Sequence, residues 1–295
     1  MRVMVAGSSG LLGGALVTRL RTAGHDVLRL VRRTPRAADE RGWEPPAGRI
    51  DDGAFDGVDA VVNLCGAPLA SSRWSDARKQ HLVDSRVEPT EVIAETVARH
   101  GIPVLLNASG INVYGDTGDR EVDETAPTGS GFLADLCREW ESATEPAVRA
   151  GARVVLLRTS PVLSSTGGLL APLRTLFRLG LGGKLGDGKQ YFPWIGLDDH
   201  VAAMEWLLRG AGVSGPVNLT APEPVTNAEF TRALGEALRR PTPWRVPGFA
   251  LRTVLGEAAD EMLLSGPRAV PSRLPEAGFT FSHPRIDQAL AAVTR

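Results

Sequence analysis

Residues 7–13 read Gly-Ser-Ser-Gly-Leu-Leu-Gly, three glycines spaced three apart near the start of a 295-residue chain. The apolar run Val3-Met4-Val5-Ala6 precedes them and a helix-like stretch, 11–23, follows. Strand, glycine turn and helix in that order are what a dinucleotide-binding loop requires. Gly7 permits the tight turn, Gly10 leaves room for a pyrophosphate against the backbone, and Gly13 lets the helix pack close to the sheet. The unpaired N–H groups around Ser8, Ser9, Leu11 and Leu12 then face the phosphates. The alternative is an ordinary glycine-rich turn.

The end of the second predicted strand, Leu30-Val31-Arg32-Arg33-Thr34, bears on the choice of cofactor. An acid at this point binds the ribose 2′-hydroxyl of NAD, whereas an arginine accommodates a 2′-phosphate. No acid occurs from 27 to 38, and Arg32 and Arg33 are suited to charge-assisted hydrogen bonds with phosphate. NADP(H) is therefore the expected cofactor, with a pair of solvated arginines as the alternative. Ser109 ends the fourth predicted strand, on the edge where open α/β sheets bind ligands. It is a candidate to hold substrate or carboxamide, or else a strand-end turn serine. Arg86 and Arg158 are candidate anchors for an anionic substrate or the cofactor phosphates, unless each is paired with a neighbouring acid.

Apolar runs at 2–6, 26–31, 59–64, 103–108 and 153–158 alternate with helical patterns at 11–23, 75–100 and 132–150. That alternation predicts a doubly wound parallel α/β sheet of Rossmann type. The segment 34–57 is rich in Pro, Gly and Asp and reads as loop. The glycine-rich stretch 164–188 reads as a mobile loop with a short helix over the site. Asp198 or Asp199 is expected to cap a helix running to about residue 210, residues 217–219 form a short strand, and Asn227 caps a helix at 228–239. The last 50 residues form a small, mostly helical unit. The expected division is a cofactor domain, 1–163, to which 190–220 returns, and a substrate-side domain made of 164–189 and 221–295. Trp74, Trp140, Trp194 and Trp206 are expected as packing anchors. The apolar stripe of the 75–100 helix faces the sheet, with a homodimer contact as the alternative.

Formal net charge is −1 and hydrophobic residues make up 43% of the chain, so no basic field argues for nucleic acid or an anionic membrane. No apolar run approaches the roughly 20 residues of a membrane helix. Cys65 and Cys137 are too few for a disulfide framework and fit a reducing, cytoplasmic setting. The five histidines show no metal-ligand spacing, so no metal is expected.

Several further segments make the chain resemble the extended short-chain dehydrogenase/reductases: Asn63-Leu64-Cys65-Gly66, Ser109-Gly110-Ile111-Asn112-Val113-Tyr114-Gly115, and Trp194-Ile195-Gly196-Leu197-Asp198-Asp199. The tail is similar to that of epimerase/dehydratase-like proteins ending in a small domain of unknown function. Leu263-Leu264-Ser265-Gly266-Pro267-Arg268 and Glu276-Ala277-Gly278-Phe279-Thr280-Phe281 carry that likeness. The resemblance implies that Leu64, Cys65 and Gly66 cross the cofactor beside its adenine-side ribose. It also implies that Tyr114 and Tyr191, the two tyrosines, border the nicotinamide pocket.

Extended reductases use a Tyr-x-x-x-Lys pair completed by Ser and Asn, in which the lysine lowers the tyrosine's pKa. Here the four places fall on Phe132, Leu136, Gly110 and Arg86. Phe132 and Leu136 can transfer no proton, so Tyr114, Ser109 and Tyr191 become the candidates for catalysis. Relatives often carry a histidine where Gly196 stands. The reading that follows is an atypical NADP-dependent oxidoreductase or epimerase-like enzyme acting on a small carbonyl or alcohol. The alternatives are a non-catalytic NADP-binding sensor that offers its C-terminal domain to a partner, and a nucleotide-sugar epimerase.

Overall fold

The computed structural model describes residues 1–70, 72–210 and 212–294. β1 (Arg2–Ala6) leads through α1 (Leu11–Thr22) to β2 (Asp26–Val31), which pairs with it in parallel. β3 (Glu40–Glu44) joins β2 in parallel, and the edge strand β4 (Arg49–Ile50) turns back antiparallel. The chain then crosses to the other side of β1 with β5 (Ala60–Asn63), α2 (Asp76–His100) and β6 (Val104–Gly110). After β7 (Glu121–Val122), α3 (Phe132–Ser142) and α4 (Glu145–Arg149) lead to β8 (Arg153–Thr159), then β9 (Val162–Leu163). Next come α5 (Leu170–Arg178), β10 (Gly183–Leu185), β11 (Tyr191–Phe192), β12 (Ile195–Gly196), α6 (Leu197–Leu208) and β13 (Gly215–Leu219). β14 (Val225–Thr226), α7 (Asn227–Leu238), β15 (Trp244–Val246) and α8 (Gly248–Leu255) open the C-terminal part. It ends with α9 (Glu257–Ala259), a π-helical turn at Asp260–Leu264, β16 (Arg268–Ala269), α10 (Arg273–Glu276) and α11 (Ile286–Thr294).

The main sheet has the order β13-β8-β6-β5-β1-β2-β3-β4, with all neighbours parallel except β3 and β4. Strand order reverses between β1 and β5, which opens a crevice at the carboxyl ends of those two strands. The middle of the sheet is mainly apolar, as expected of a sheet covered on both faces, with Asn63 and Asn107 buried near its carboxyl ends. Val3, Val5, Val62, Leu106, Val155 and Leu157 pack on α1 and α6 on one face. Met4, Val61, Leu105 and Val154 pack with Ile93 and Val97 of α2 on the other.

Four local expectations are corrected. The 34–57 segment contributes two strands: Glu40 is 4% exposed and bound by Arg33 and Arg29, so ion pairs hold β3 where propensity does not. The 132–150 pattern divides in two, α4 opening with Pro146 in its first turn. α6 starts after Gly196 with no side-chain cap, and the Asp199 carboxylate instead accepts from the Ser282 and His283 amides at 2.7 and 3.0 Å. α7 is capped by Thr226, in a reciprocal box with Glu229, while Asn227 Oδ1 accepts from the Leu185 amide at 2.8 Å.

The expected tryptophan anchors Trp74, Trp140 and Trp194 are buried, and Trp206 packs edge-on against Phe279. Among the described residues no helix is long and apolar enough to cross a membrane. Cys65 and Cys137 are free thiols, and burial pushes each up to about 12.

Candidate cofactor site and the emptied catalytic places

Gly7 has φ of +79°, and a Cβ there would stand 2.7 Å from the Leu64 carbonyl, so only glycine fits where the loops after β1 and β5 touch. At Gly13 a Cβ would meet the Gly7 carbonyl oxygen at 2.2 Å. Gly10 differs: its φ is −77°, and the nearest atom to a Cβ is the Gly7 oxygen at 3.4 Å. What glycine preserves at position 10 is therefore open space and not an unusual backbone angle. Neither a side-chain cap nor an acid occupies the first turn of α1, so its amides remain for an external anion. Ser9 and Gly10 are exposed, and Ser8, Leu11 and Leu12 are half-buried around the opening. From the far side the 164–168 loop comes over this helix start, with Leu11 Cδ2 3.2 Å from where a Gly168 Cβ would be.

The two arginines after β2 have different fates. Arg33 donates to both oxygens of Glu40, at 2.8 and 2.6 Å, and the pair holds the Glu40 carboxyl down at about 2. Arg33 is thereby paired with an acid of β3. Arg32 is exposed, has no ion-pair partner among the described residues, and lies near enough to Cys65 to act on its thiol. The loop after β5 is set from below: Asn63 Nδ2 donates to Thr90 Oγ1 and Asn107 Oδ1, and Asn63 Oδ1 accepts from the Cys65 amide. Cys65 thus stands near Arg32, and the Leu64–Cys65 backbone lies against the glycine turn at Gly7.

Ser109, Tyr114 and Arg158 come together, but in a sealed network. Glu141 is its centre, accepting from Ser109 Oγ at 2.7 Å and from Arg158 Nε and Nη2 at 2.8 and 2.9 Å. Arg158 Nη1 donates to the Tyr114 hydroxyl at 2.9 Å, and that hydroxyl donates to Asn218 Oδ1 at 2.8 Å. Tyr114 is 2% exposed, and burial raises its pKa. From Asn218 the chain of bonds continues through Glu124 to the Ser272 amide, tying the sheet to the C-terminal segment. Arg158 is therefore unavailable to cofactor phosphates, and the Ser109 and Tyr114 hydroxyls are already spent.

Tyr191 is different. It is half-buried, Arg268 lies over its ring at 5.4 Å, and its hydroxyl has no hydrogen-bond partner among the described residues.

The places to which the resemblance assigns the tyrosine, lysine and serine are filled by packing. Phe132 meets Trp74 edge-on, with centroids 5.1 Å apart, and Lys79 Nζ lies 5.1 Å from its ring. Leu136 is in the core, and a Cβ at Gly110 would be 3.1 Å from Cys137 Sγ. Glu261, from the C-terminal part, accepts from the Phe132 and Leu133 amides at 2.8 and 2.9 Å and so caps α3 from outside. Sequence reasoning missed Glu141 and Glu261 because both partners lie far away along the chain. It also passed over His200, fully buried on α6 with Nε2 3.1 Å from Thr159 Oγ1, which burial pushes down to about 3 and keeps neutral.

A cleft of about 250 Å³ opens between Ser164–Thr166, the start of α6 and His283. Gly196 lines it, with no atom within 4 Å of a would-be Cβ. A larger depression of about 350 Å³ lies at Gly212–Ser214 and Arg273, before β13 begins, on the sheet edge away from these loops. Among the described residues no cluster of His, Cys, Asp and Glu is placed to hold a metal.

The NAD dependent epimerase/dehydratase family model matches residues 3–219. The chain belongs to this family. A domain of unknown function, DUF1731, matches residues 246–293. An epimerase family protein of Mycobacterium tuberculosis is 54% identical over 292 residues, covering 99% of this chain and 97% of its own. The crystal structure of human epimerase family protein SDR39U1 with NADPH superposes with a TM-score of 0.91 at 30% identity, covering 100% of this chain and 99% of that one. The nucleoside-diphosphate sugar epimerase of Corynebacterium glutamicum gives a TM-score of 0.82 at 35% identity, over 100% of this chain and 58% of that one. The chain keeps the glycine loop, and Phe132 and Leu136 stand where the resemblance to extended reductases places the tyrosine and the lysine.

Proposed function

We propose that the chain binds NADP(H) and catalyses hydride transfer with a small carbonyl or alcohol, by a route that does not use the usual Tyr/Lys pair. The reading rests on one observation above all: an uncapped helix start behind Gly10 with an unpaired Arg32 beside it, at the switch point of the sheet. The NADPH in the human relative supports the same cofactor here. Residues 1–163 and 190–220 carry the cofactor in this reading, and 164–189 with 221–295 carry the substrate. The α1 amides hold the pyrophosphate, Arg32 the 2′-phosphate, and Leu64, Cys65 and Gly66 border the adenine-side ribose. Bound there, the reduced nicotinamide supplies a hydride. Ser109 and Tyr114 act at one remove, by fixing the strand ends through Glu141 and Arg158. The proton for the carbonyl oxygen comes from Tyr191, whose hydroxyl is uncommitted, or from water.

Screening NADPH oxidation over a panel of carbonyl compounds tests this reading. At least one substrate should turn over, and Tyr191→Phe should lower kcat at least tenfold with NADPH affinity unchanged, since a positioned acid contributes roughly 10²–10⁴-fold. Full turnover by Tyr191→Phe would assign the proton to water. A second reading, a non-catalytic NADP-binding sensor, is favoured by the locked Ser109 and Tyr114 hydroxyls. It takes over if NADPH binds and no compound is reduced. The nucleotide-sugar epimerase reading has the filled Phe132 and Leu136 places against it.

A further inference from the structure

Arg86 occupies the place where extended reductases carry an asparagine, and it is 7% exposed. All its protein acceptors are neutral: Leu82 O at 3.0 Å, Ser85 Oγ at 3.3 Å and Ala67 O at 2.9 Å. The Trp140 ring lies 5.2 Å from its Cζ. No carboxylate comes within ion-pair distance of it among the described residues, whereas the equally buried Arg158 holds Glu141 by two bonds. The nearby Cys137 thiol, pushed up to about 12, is neutral at pH 7 and supplies no counter-charge. Burial lowers Arg86 only to about 10, so it remains a cation. Its Nε has no protein partner among the described residues.

Proteins rarely bury a charge without pairing it. Here the unpaired cation lies directly beneath Gly66, where a Cβ would come within 3.2 Å of Cζ and 3.3 Å of Nε and Nη2. Glycine at 66 thus lets the loop that borders the crevice between β1 and β5 pass close over the face of the guanidinium.

We propose that Arg86 is an anion-recognition residue, its unpartnered Nε–H beneath the Gly66 loop receiving an oxyanion of the ligand held in the crevice. This rests on the reading of the crevice as a dinucleotide site. The oxyanion is either a pyrophosphate oxygen of the cofactor or a phosphate or carboxylate of the substrate. Both are oxygen anions that a guanidinium edge binds well.

The test uses Arg86→Gln, which removes the charge and keeps an amide donor, and Arg86→Lys, which keeps the charge. NADPH and NADH affinities are measured by calorimetry, and melting is followed with inorganic phosphate or acetate added to the NADPH-saturated protein. If the cofactor supplies the oxyanion, Arg86→Gln weakens both dinucleotides about tenfold or more, since the contact does not involve the 2′-phosphate, and Arg86→Lys recovers part of the loss. If the substrate supplies it, both affinities stay within twofold, and a saturable stabilisation by phosphate or acetate in the wild type disappears in Arg86→Gln. Ligand-free Arg86→Gln should melt no lower than the wild type, because it removes an unpaired buried charge. A lower melting point with unchanged dinucleotide affinity and unchanged response to phosphate and acetate would mark Arg86 as structural and overturn the proposal. Wild-type protein that takes up no NADPH but is stabilised by phosphate through Arg86 would uphold the anion site and remove the cofactor reading.

Discussion

Gly10→Val should weaken NADPH binding by roughly 10²-fold or more while leaving the fold in place. The isopropyl group would fill the one position of the glycine turn that the protein leaves open, since a Cβ there has only the Gly7 oxygen for company, at 3.4 Å. A displaced pyrophosphate loses at least two hydrogen bonds to charged oxygen, each about 1.5–3 kcal/mol net, which is a hundredfold or more in affinity. The backbone angle at Gly10, φ −77°, is one that valine adopts freely. The cost to the fold is the poorer N-cap, about 1 kcal/mol. Far-UV circular dichroism and a melting curve check the fold, and calorimetry checks the binding. Undiminished NADPH affinity in a folded Gly10→Val protein would show that the phosphates lie elsewhere.

Glu141→Gln should be the most damaging single change to stability outside the apolar core. It leaves the Arg158 guanidinium, 5% exposed, without a counter-charge. It also weakens the bond from Ser109 and loosens the chain that runs through Tyr114 and Asn218 to the C-terminal segment. Breaking a buried pair from one side costs about 3–5 kcal/mol. At roughly 2–4 °C per kcal/mol for a chain of this size, melting should fall by roughly 6–20 °C. Asp287→Asn offers the contrast, because Arg285 and Asp287 are 57% and 58% exposed and such pairs are worth about 0–1 kcal/mol. Equal melting shifts for the two variants would mean that the Glu141 network does not hold the strand ends as described.

The central strands were legible because a sheet covered on both faces leaves long apolar runs, as in β1, β6 and β8. β3 was not legible, because Glu40–Glu44 has little strand character of its own and is held by pairing with β2 and by the Glu40 ion pairs. The glycine roles at 7 and 13 could be read from the motif, and both prove to be sites of close backbone approach. Arg32 and Arg33 could not be told apart by residue type. Both follow the end of β2 at Val31 in a bend, and an acid seven positions beyond Arg33, Glu40, takes that one. For Arg158 the composition offered two fates, a phosphate or an acid. The acid lies 17 residues back on α3, a pairing that only the packed helix creates. The hydroxyls of Ser109 and Tyr114 lie at and just after the carboxyl end of β6, where tertiary neighbours have consumed them. Glu261 left no local signal, because it acts on α3 across 128 and 129 positions of sequence.

The most direct measurement is a calorimetric titration of the wild-type protein with NADPH and, separately, with NADH at one salt concentration. An unpaired Arg32 at the 2′-phosphate is worth roughly 1.5–3 kcal/mol as a charged hydrogen bond, so NADPH should bind tenfold or more tightly than NADH. Equal affinities, or no binding of either dinucleotide, would contradict the assignment of the Gly7–Gly13 turn and Arg32 to an NADP(H) site.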